Sequence, residues 1–292
     1  MPAQSTATVQ PSRRRRIPGE ARYLELEGRG RIRVWEVEGP PGAPTLLLLH
    51  GLGATGPLNW FQAFPALADQ YHLIAVDHRG HGQGIRTRRF RLKDCADDAM
   101  AVAKELSVDR LIAVGYSMGG PIAKLCWSRH PDRVSGLVLC ATAQHFSPDR
   151  YPVLTRALLP GAVVGARIAP GLVRGQIIEG MLRGVRSPEA RKYMRMEMSH
   201  SDPATLAQAT RAVLAFSSRN WASSITVPTA VVVMTRDEVV PTRRQERLAA
   251  AIPNAKRFDV QGDHFACANE RTNFIEQLTS ACAYVTRESK TR

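Results

Sequence analysis

The stretch Leu111-Ile-Ala-Val-Gly-Tyr-Ser-Met-Gly-Gly120 decides the fold, because it joins a strand pattern, a turn motif and the start of a helix pattern. Its first four residues are apolar, which is typical of a parallel strand buried on both faces. Residues 115–119 form a G-x-S-x-G sequence, and residues 121–130 are typical of a helix with proline in its first turn. Together these patterns predict that Ser117 projects from the carboxyl edge of a sheet. The alternative is a Gly/Ser turn without chemistry.

Length and composition indicate a globular protein of one domain with an insertion. The chain has 292 residues, 44% of them hydrophobic, and no apolar stretch approaches the roughly 20 residues that cross a bilayer. Four arginines at residues 13–16 are not followed by an apolar segment, so we expect no secretory or twin-arginine signal and a cytoplasmic location. The five cysteines form no C-x-x-C pair and are expected to be buried reduced thiols. Neither a metal site nor a cofactor is expected.

The charge balance is strongly basic, with a formal net charge of +14 and a pI near 10.2. One interpretation is a weak attraction to anionic membrane surfaces or to an acyl-phosphopantetheine group. The basic residues are spread along the chain without a nucleic-acid-binding motif, so no specific nucleic acid is expected. A solvated basic surface is the simpler interpretation, and the oligomeric state stays open.

The order of patterns along the chain predicts an α/β fold. Residues 1–20 form a polar basic tail that is expected to be disordered, and residues 23–37 have the pattern of a β-hairpin. From residue 45 to 141 strand and helix patterns alternate, which predicts a mainly parallel sheet with helices on both faces. Residues 144–222 lack a strand pattern and are predicted to be a helical insertion. The predicted core is formed by residues 21–143 and 223–286, and the predicted flexible tail by residues 287–292.

Candidate catalytic residues follow the last two predicted strands. Asp237 comes after the strand that ends near residue 235, and His264 after the strand that ends near residue 260. With Ser117 they have the order of nucleophile, acid and base that accompanies a G-x-S-x-G turn. In this role His264 takes the proton of Ser117 and returns it to the leaving group, while Asp237 orients the imidazole. Glu238 and Asp149 are the rival carboxylates.

A reaction at Ser117 also needs N–H donors for the oxygen of its tetrahedral intermediate. The backbone N–H of Met118, directly after the serine, is the first candidate. The second is the N–H of Leu52, in the glycine-rich loop after the strand at residues 45–50. The sequence therefore predicts an oxyanion hole built from two separate loops.

Several conspicuous side chains are expected to be structural. His50, His78 and His81 lie in glycine-rich loops, and Tyr116 is expected to pack beneath Ser117 rather than act as an acid. Asp77-His-Arg-Gly-His-Gly82 lacks the Lys-Ser/Thr of a phosphate loop, so a structural turn is the favoured interpretation.

Six motifs occur in the order of one known family. They are His50-Gly-Leu-Gly53, Asp77-His-Arg-Gly-His-Gly82, Gly115-Tyr-Ser-Met-Gly-Gly120, His130-Pro-Asp-Arg-Val134, Arg236-Asp-Glu-Val-Val-Pro241 and Gly262-Asp-His264. With these motifs, residues 22–285 resemble the α/β-hydrolase family. The resemblance implies an eight-stranded, mainly parallel sheet with a helical cap, or lid, inserted after the sixth strand. Asp263 departs from the glycine that the family often has before the base, which leaves its effect on the imidazole open.

The resemblance, with a serine at the nucleophile position, implies a serine hydrolase rather than an aspartate-based enzyme of the same family. The leading hypothesis is a carboxylesterase that cleaves small to medium, mostly apolar esters through an acyl-enzyme, because apolar residues dominate the insertion. Enol-lactone, thioester or carbon–carbon bond hydrolysis and cofactor-free perhydrolysis are the alternatives on the same triad. A non-catalytic ligand-binding protein is the alternative from another class. The substrate-binding residues stay unassigned.

Overall fold

The computed structural model describes residues 20–147 and 188–291, together with positions 171, 175 and 179. The expected basic tail, apart from Glu20, lies outside the described residues. The rival carboxylate Asp149 lies outside them as well, as do most positions of the two apolar stretches at residues 153–161 and 177–185.

The core contains a single sheet of eight strands, as the sequence predicts. The strands are β1 (Glu20–Leu26), β2 (Gly30–Val37), β3 (Thr45–Leu49), β4 (His72–Val76), β5 (Leu111–Tyr116), β6 (Val134–Cys140), β7 (Thr229–Met234) and β8 (Lys256–Val260). Their order in the sheet is β1-β2-β4-β3-β5-β6-β7-β8. Strand β2 pairs antiparallel with both β1 and β4. The remaining neighbours in the sheet, β4–β3, β3–β5, β5–β6, β6–β7 and β7–β8, are parallel. The prediction of a mainly parallel eight-stranded sheet is therefore confirmed.

Helices cover both faces of this sheet. Among the described residues they are α1 (Gly56–Trp60), α2 (Ala63–Leu67), α3 (Leu92–Glu105), α4 (Gly119–Arg129), α5 (Pro188–Ser199), α6 (Pro203–Ala215), α7 (Thr242–Ala251) and α8 (Phe274–Lys290). No helix in the described ranges is long and apolar enough to cross a membrane.

The central strands separate two apolar layers. In β3, Leu47 and Leu49 face the layer that contains α3, α4 and α7, while Leu46 and Leu48 face the layer of α1, α2 and α8. This alternation follows from the two-residue period of a strand, and burial on both faces explains why β3 and β5 are continuous apolar runs. The carboxyl ends of the parallel strands consequently meet at one edge of a rigid sheet, where the loops carry the candidate site.

Helices α5 and α6 belong to the insertion between β6 and β7. Where the chain leaves and re-enters the core, His145 and Ser217 form an isolated antiparallel bridge. Beside this bridge the ammonium group of Lys124, on α4, donates to the carbonyl of Ala143 and to the hydroxyl of Ser218, both at 2.9 Å. Lys124 is fully buried, and burial lowers its pKa to about 7. The two stems of the insertion are thus held by one core side chain.

Two predicted segments differ in the structure. The sequence pattern predicts one helix over residues 60–68, but the structure has two short helices, α1 and α2. Helix α1 begins earlier because the hydroxyl of Thr55 caps the N–H of Leu58. The last helix continues to Lys290, so most of the expected flexible tail is helical. Arg287 and Lys290 lie in its last turn, where cations interact favourably with the helix dipole. All five cysteines are buried, and none forms a disulfide.

Candidate active site

Ser117 sits on a strained turn between β5 and α4. Its φ of +50° lies in the left-handed region, which non-glycine residues adopt only when their surroundings hold them there. The N–H of Ser117 donates to the carbonyl of Cys140 at 2.9 Å, and its own carbonyl accepts from the hydroxyl of Thr142 at 2.9 Å. The end of β6 therefore holds the backbone of the turn, and the side chain is free to point away from the sheet.

The two motif glycines are required by close backbone contacts. A Cβ on Gly115 would lie 2.2 Å from the carbonyl oxygen of Gly119. A Cβ on Gly119 would lie 2.0 Å from the carbonyl oxygen of Leu49, on the neighbouring strand β3. Because carbon and oxygen cannot approach so closely, only glycine allows α4 to begin directly behind Ser117.

The structure brings the three predicted catalytic side chains together. The Nε2 atom of His264 lies 2.9 Å from the hydroxyl oxygen of Ser117. The Nδ1 atom of the same imidazole lies 2.7 Å from Oδ2 of Asp237. The ring therefore bridges a hydroxyl and a carboxylate, and this geometry allows proton transfer on one side and orientation of the ring on the other.

The carboxylate of Asp237 is fully buried and is held by three further donors. Its Oδ1 atom accepts from the N–H groups of Val239 (2.9 Å) and Val240 (2.8 Å). Its Oδ2 atom accepts from the side-chain amide of Gln245, on α7, at 2.9 Å. These hydrogen bonds fix the carboxylate in the position from which it meets His264. Each carboxylate oxygen can accept more than one hydrogen bond, so Oδ2 can accept from both Gln245 and an imidazole N–H.

Two other acidic residues near His264, the rival Glu238 and Asp263, take other positions. Glu238 is exposed and lines an open cavity, and no hydrogen bond joins it to His264. Asp263, the departure from the family pattern, is exposed, and its carboxylate accepts from the N–H of Phe265 at 2.9 Å. Within the described part of the chain, Asp237 is therefore the carboxylate that meets the imidazole.

Tyr116 packs beneath Ser117, as expected. Its ring makes edge contacts with Trp60, Phe274 and His264, and its hydroxyl donates to the backbone carbonyl of His264 at 2.9 Å. Burial raises the pKa of Tyr116 well above its usual range, so the phenol stays protonated and can donate. Tyr116 thus supports the loop that carries His264.

The loop after β3 lies against Ser117. A Cβ added to Gly51 would be 3.4 Å from the Cβ of Ser117, which places the backbone of this loop beside the hydroxyl. The N–H of Gly51 is held by the side-chain oxygen of Asn59, on α1, at 3.0 Å. Among the described residues, the N–H groups of Leu52 and Met118 are both without an acceptor.

Three buried imidazoles lie behind this loop. The ring of His50 is 4.3 Å from that of His78 and 5.2 Å from that of His81, measured between centroids. Nε2 of His50 accepts from the N–H of His78 at 2.9 Å, and Nδ1 lies 2.7 Å from the carbonyl of Gly51, so the neutral Nδ1–H tautomer satisfies both contacts. Burial lowers the pKa of His50 to about 4 and that of His81 to about 3. The cluster is neutral and supports the loop.

A buried charged network connects the same loop to the insertion. Arg33, on β2, donates to Oδ2 of Asp77 at 2.8 Å and to Oε2 of Glu197 at 2.5 Å. Glu197 lies on α5, and its Oε2 atom also accepts from the hydroxyl of Thr55 at 2.9 Å. Oδ1 of Asp77 accepts from the N–H of Gly56 at 2.9 Å. Burial alone would lower the pKa of Arg33, but the two carboxylates outweigh it and raise the pKa, so the guanidinium is charged.

An open cavity of about 510 Å³ adjoins the imidazole of His264. Its lining includes Arg236, Glu238, Val239, Phe265 and Thr272. Val239 and Phe265 expose 61% and 47% of their surface, so apolar groups are available to a bound molecule next to charged ones. No described residue of the insertion is among the residues that line this cavity, so the apolar pocket predicted from the insertion sequence stays a prediction.

Sequence reasoning missed Gln245 and Glu197. Gln245 is three residues before the buried Leu248, so both occupy one face of α7, and an amide on a core face is a signal that it serves a buried polar group. Glu197 is separated by 142 residues from Thr55 and by 164 from Arg33, and a pattern of neighbouring residues does not predict contacts over such distances along the chain.

The fold and the site define a class of proteins, in which a parallel α/β sheet presents a serine on a strained turn to a histidine backed by a buried carboxylate. A sequence profile described as alpha/beta hydrolase fold matches residues 44–270. The chain therefore belongs to the α/β-hydrolase fold family, and the resemblance inferred from its six motifs is confirmed.

Similar proteins agree with this assignment. The chain is 30% identical over 242 residues to a pimeloyl-[acyl-carrier protein] methyl ester esterase of Chromobacterium violaceum, covering 80% of this chain and 92% of the relative. It is 26% identical over 262 residues to the enzyme of the same name from Vibrio atlanticus, covering 84% and 96%. A solved hydrolase from Pseudomonas aeruginosa shares the fold with a TM-score of 0.77 at 21% identity, covering 91% and 99% of the two chains.

Proposed function

We propose that this protein is a serine hydrolase that cleaves carboxylic esters, with Ser117 as nucleophile, His264 as general base and acid, and Asp237 as the orienting carboxylate. The observation that carries the proposal is the continuous contact from Ser117 through His264 to Asp237, at 2.9 and 2.7 Å. An isolated serine hydroxyl is a poor nucleophile, and an adjacent base in this position is what activates it.

The proposed reaction has two stages. In the first stage Ser117 attacks the ester carbonyl while its proton moves to Nε2 of His264, and that proton then goes to the leaving alcohol. In the second stage the imidazole activates a water molecule that hydrolyses the acyl-enzyme. In each stage the tetrahedral oxygen accepts from the N–H groups of Leu52 and Met118, and losing one such donor typically costs about 2.7–4 kcal/mol of barrier.

Ester hydrolysis is preferred to the other reactions of this machinery for two reasons. The two relatives from Chromobacterium violaceum and Vibrio atlanticus are named methyl ester esterases. The cavity beside His264 also carries two exposed apolar side chains, Val239 and Phe265, as contacts for an acyl or alcohol group. Enol-lactone, thioester and carbon–carbon bond cleavage and perhydrolysis need the same serine, so only a comparison of substrates separates them.

The proposal is tested with a panel of nitrophenyl esters of increasing acyl length, together with lactones and acyl thioesters. We expect turnover of at least one ester by the wild-type protein, its loss in Ser117→Ala and its retention in Ser128→Ala. Ser128 is a matched control because it is an exposed serine on α4 whose hydroxyl only contacts the carbonyl of Leu125. A fluorophosphonate should label the wild-type protein and Ser128→Ala but not Ser117→Ala. The absence of both ester turnover and labelling in the wild-type protein would contradict the proposal.

A second candidate is hydrolysis of an ester whose acyl group is carried by an anionic protein. It is favoured by an exposed basic segment formed by Arg86, Arg88, Arg89 and Arg91. This segment contacts α6 of the insertion, where Gln208 bonds to the carbonyl of Arg88 and to the N–H of Phe90. With a net charge of +14, such a surface accelerates association with anionic partners.

The two candidates differ in how they respond to charge. If the substrate is carried by an anionic protein, the double variant Arg88→Glu/Arg89→Glu raises the KM of the carrier-linked ester and reduces its dependence on salt. The KM of a free nitrophenyl ester stays unchanged in the same variant. If the double variant has the same KM as the wild-type protein for the carrier-linked ester as well as for the free ester, the carrier protein is excluded.

A further inference from the structure

The buried carboxylate of Glu197 is the point at which the insertion meets the loop that holds the candidate oxyanion donor. Glu197 is 6% exposed, and its two oxygens face Arg33, at 2.5 Å from Nη2 and 3.4 Å from Nη1. One of these oxygens also accepts the hydroxyl proton of Thr55 at 2.9 Å. The carboxylate on the insertion is therefore bound to the core through two different side chains.

Thr55 marks one end of the loop that contains Leu52. Its hydroxyl accepts from the N–H of Leu58 at 3.3 Å and so caps the first turn of α1. At the other end of the loop, the N–H of Gly51 is fixed by Asn59, which also lies on α1. The position of α1 therefore determines where both ends of the segment from Gly51 to Thr55 lie.

Apolar contacts add to this attachment. Met198, one residue after Glu197, is 1% exposed and forms a small cluster with Leu58, against which Ala54 and Tyr193 also pack. Helix α5 thus covers the same short stretch of chain with a buried carboxylate and a buried apolar side chain.

We propose that Glu197 is a positioning residue, which acts through Thr55 to hold the N–H of Leu52 where it stabilises the oxyanion. The inference rests on the proposed ester hydrolysis and adds a requirement: the oxyanion hole is complete only when α5 is docked on the core. A hydroxyl has one proton, and donating it to Glu197 aligns the oxygen lone pairs with the N–H of Leu58. Without that acceptor the hydroxyl is free to rotate, and the end of the loop loses its fixed partner.

The replacement Glu197→Gln tests this role without leaving a buried charge alone. Arg33 keeps the carboxylate of Asp77 at 2.8 Å, so the guanidinium remains paired in the variant. The glutamine keeps the size of the side chain and loses one strong acceptor. Thr55→Val removes the donor from the opposite side and leaves all contacts of Arg33 in place, and Thr55→Ser restores the hydroxyl.

The experiment measures kcat and KM for nitrophenyl butyrate and the inhibition constant of phenylboronic acid, which forms a tetrahedral adduct with a reactive serine. We expect Glu197→Gln and Thr55→Val each to lower kcat about tenfold to a hundredfold, with KM within about threefold of wild type. The inhibition constant should rise by a similar factor. The double variant Glu197→Gln/Thr55→Val should lose no more kcat than either single variant. Thr55→Ser, which keeps the hydroxyl, should have most of the wild-type kcat.

Glu179→Gln is the matched control. Glu179 is also a carboxylate of the insertion, but it is exposed and pairs with Arg191 and Arg195 instead of the core. This variant should keep the wild-type kcat. The inference is overturned if Glu197→Gln changes the melting temperature but leaves kcat within twofold of wild type. It is also overturned if Glu179→Gln loses as much activity as Glu197→Gln, or if the losses of kcat in Glu197→Gln and Thr55→Val multiply in the double variant. If Glu197→Gln does not fold, the comparison of kcat between Thr55→Val and Thr55→Ser tests the inference instead. Failure of the proposed function is distinct, because the wild-type protein would then cleave no ester.

Discussion

Acid should destabilise this protein through His50, the imidazole at the centre of the buried cluster behind the loop after β3. His50 is fully buried, and this burial, together with the nearby charge of Arg33, lowers its pKa from 6.5 to about 4 in the folded state, although its contact with the Gly51 carbonyl acts in the opposite direction. The unfolded chain keeps a pKa near 6.5 and binds the proton first. Above about pH 6.5 His50 is therefore neutral in both states and does not lower the free energy of unfolding. As the pH falls from there towards 4, only the unfolded state gains the proton, and the free energy of unfolding decreases.

The size of the effect follows from this difference of about 2.5 pKa units for His50. At about 1.4 kcal/mol per unit, the free energy of unfolding falls by about 3 kcal/mol across the whole window. At pH 5 about 2 kcal/mol of this loss is already present. His78 and His81 lie against the same ring, so removing His50 also removes a repulsion that lowers their pKa values.

Urea denaturation at pH 8 and pH 5 measures the effect. The wild-type free energy of unfolding should fall by about 2 kcal/mol more than that of His50→Asn between these pH values. Each variant is compared with itself at two pH values, so a general loss of stability from the substitution does not enter. His200→Asn, which changes an exposed histidine, should follow the wild-type protein. An equal fall in His50→Asn and wild type would refute the assignment of a buried neutral imidazole.

Two further substitutions give distinct outcomes. Lys124→Met should abolish a rise in stability between about pH 7 and 10.5, because burial lowers the pKa of this lysine from 10.5 to about 7. An unchanged pH profile of the free energy of unfolding would contradict this. Gly119→Ala should lower the free energy of unfolding, measured by urea denaturation, by at least about 3 kcal/mol, because its Cβ would lie 2.0 Å from the Leu49 carbonyl. Gly28→Ala should lower it by about 1 kcal/mol, because Gly28 has a φ of +66° but no atom within 4 Å of an added Cβ. Equal losses would argue against the close approach of α4.

The sheet and its order of elements were predictable because their signals are local. The sequence pattern predicts a helix at residues 242–251 and a strand at residues 256–260, and these coincide with α7 and β8. Apolar runs, glycine-rich loops and the G-x-S-x-G turn each depend on neighbouring residues, and a parallel sheet then places every strand end at one edge. This topology together with the G-x-S-x-G motif was enough to propose Ser117 and His264, whereas Glu238 and Asp149 stayed open as alternatives to Asp237.

The ends of the last helix were predicted less well. The sequence pattern predicts a final helix from about residue 268 to 284, but α8 begins at Phe274 and ends at Lys290. The side chains of Asn269 and Thr272 bond to the local backbone, at the N–H of Arg271 and the carbonyl of Ala266, and these contacts compete with helix formation. Such competition between local hydrogen bonds is decided by geometry that the sequence pattern does not contain.

The supporting residues of the site were out of reach for another reason. Glu197 meets its partners only after the insertion has packed on the core, and Tyr116 reaches His264 across 148 residues of chain. These contacts are properties of the tertiary arrangement. Sequence motifs identify the groups that touch the reacting atoms better than the groups that hold them in place.

The bridge between His145 and Ser217 has a consequence for how this chain can be altered. Because the two stems of the insertion meet at one point beside Lys124, the distance that the inserted segment spans is short and independent of its length. The entropy of closing a longer loop grows only with the logarithm of its length, so exchanging the whole segment imposes little strain on β6 and β7. The segment between these stems can therefore be exchanged without straining the sheet, provided that the replacement keeps a carboxylate where Glu197 meets Arg33 and Thr55.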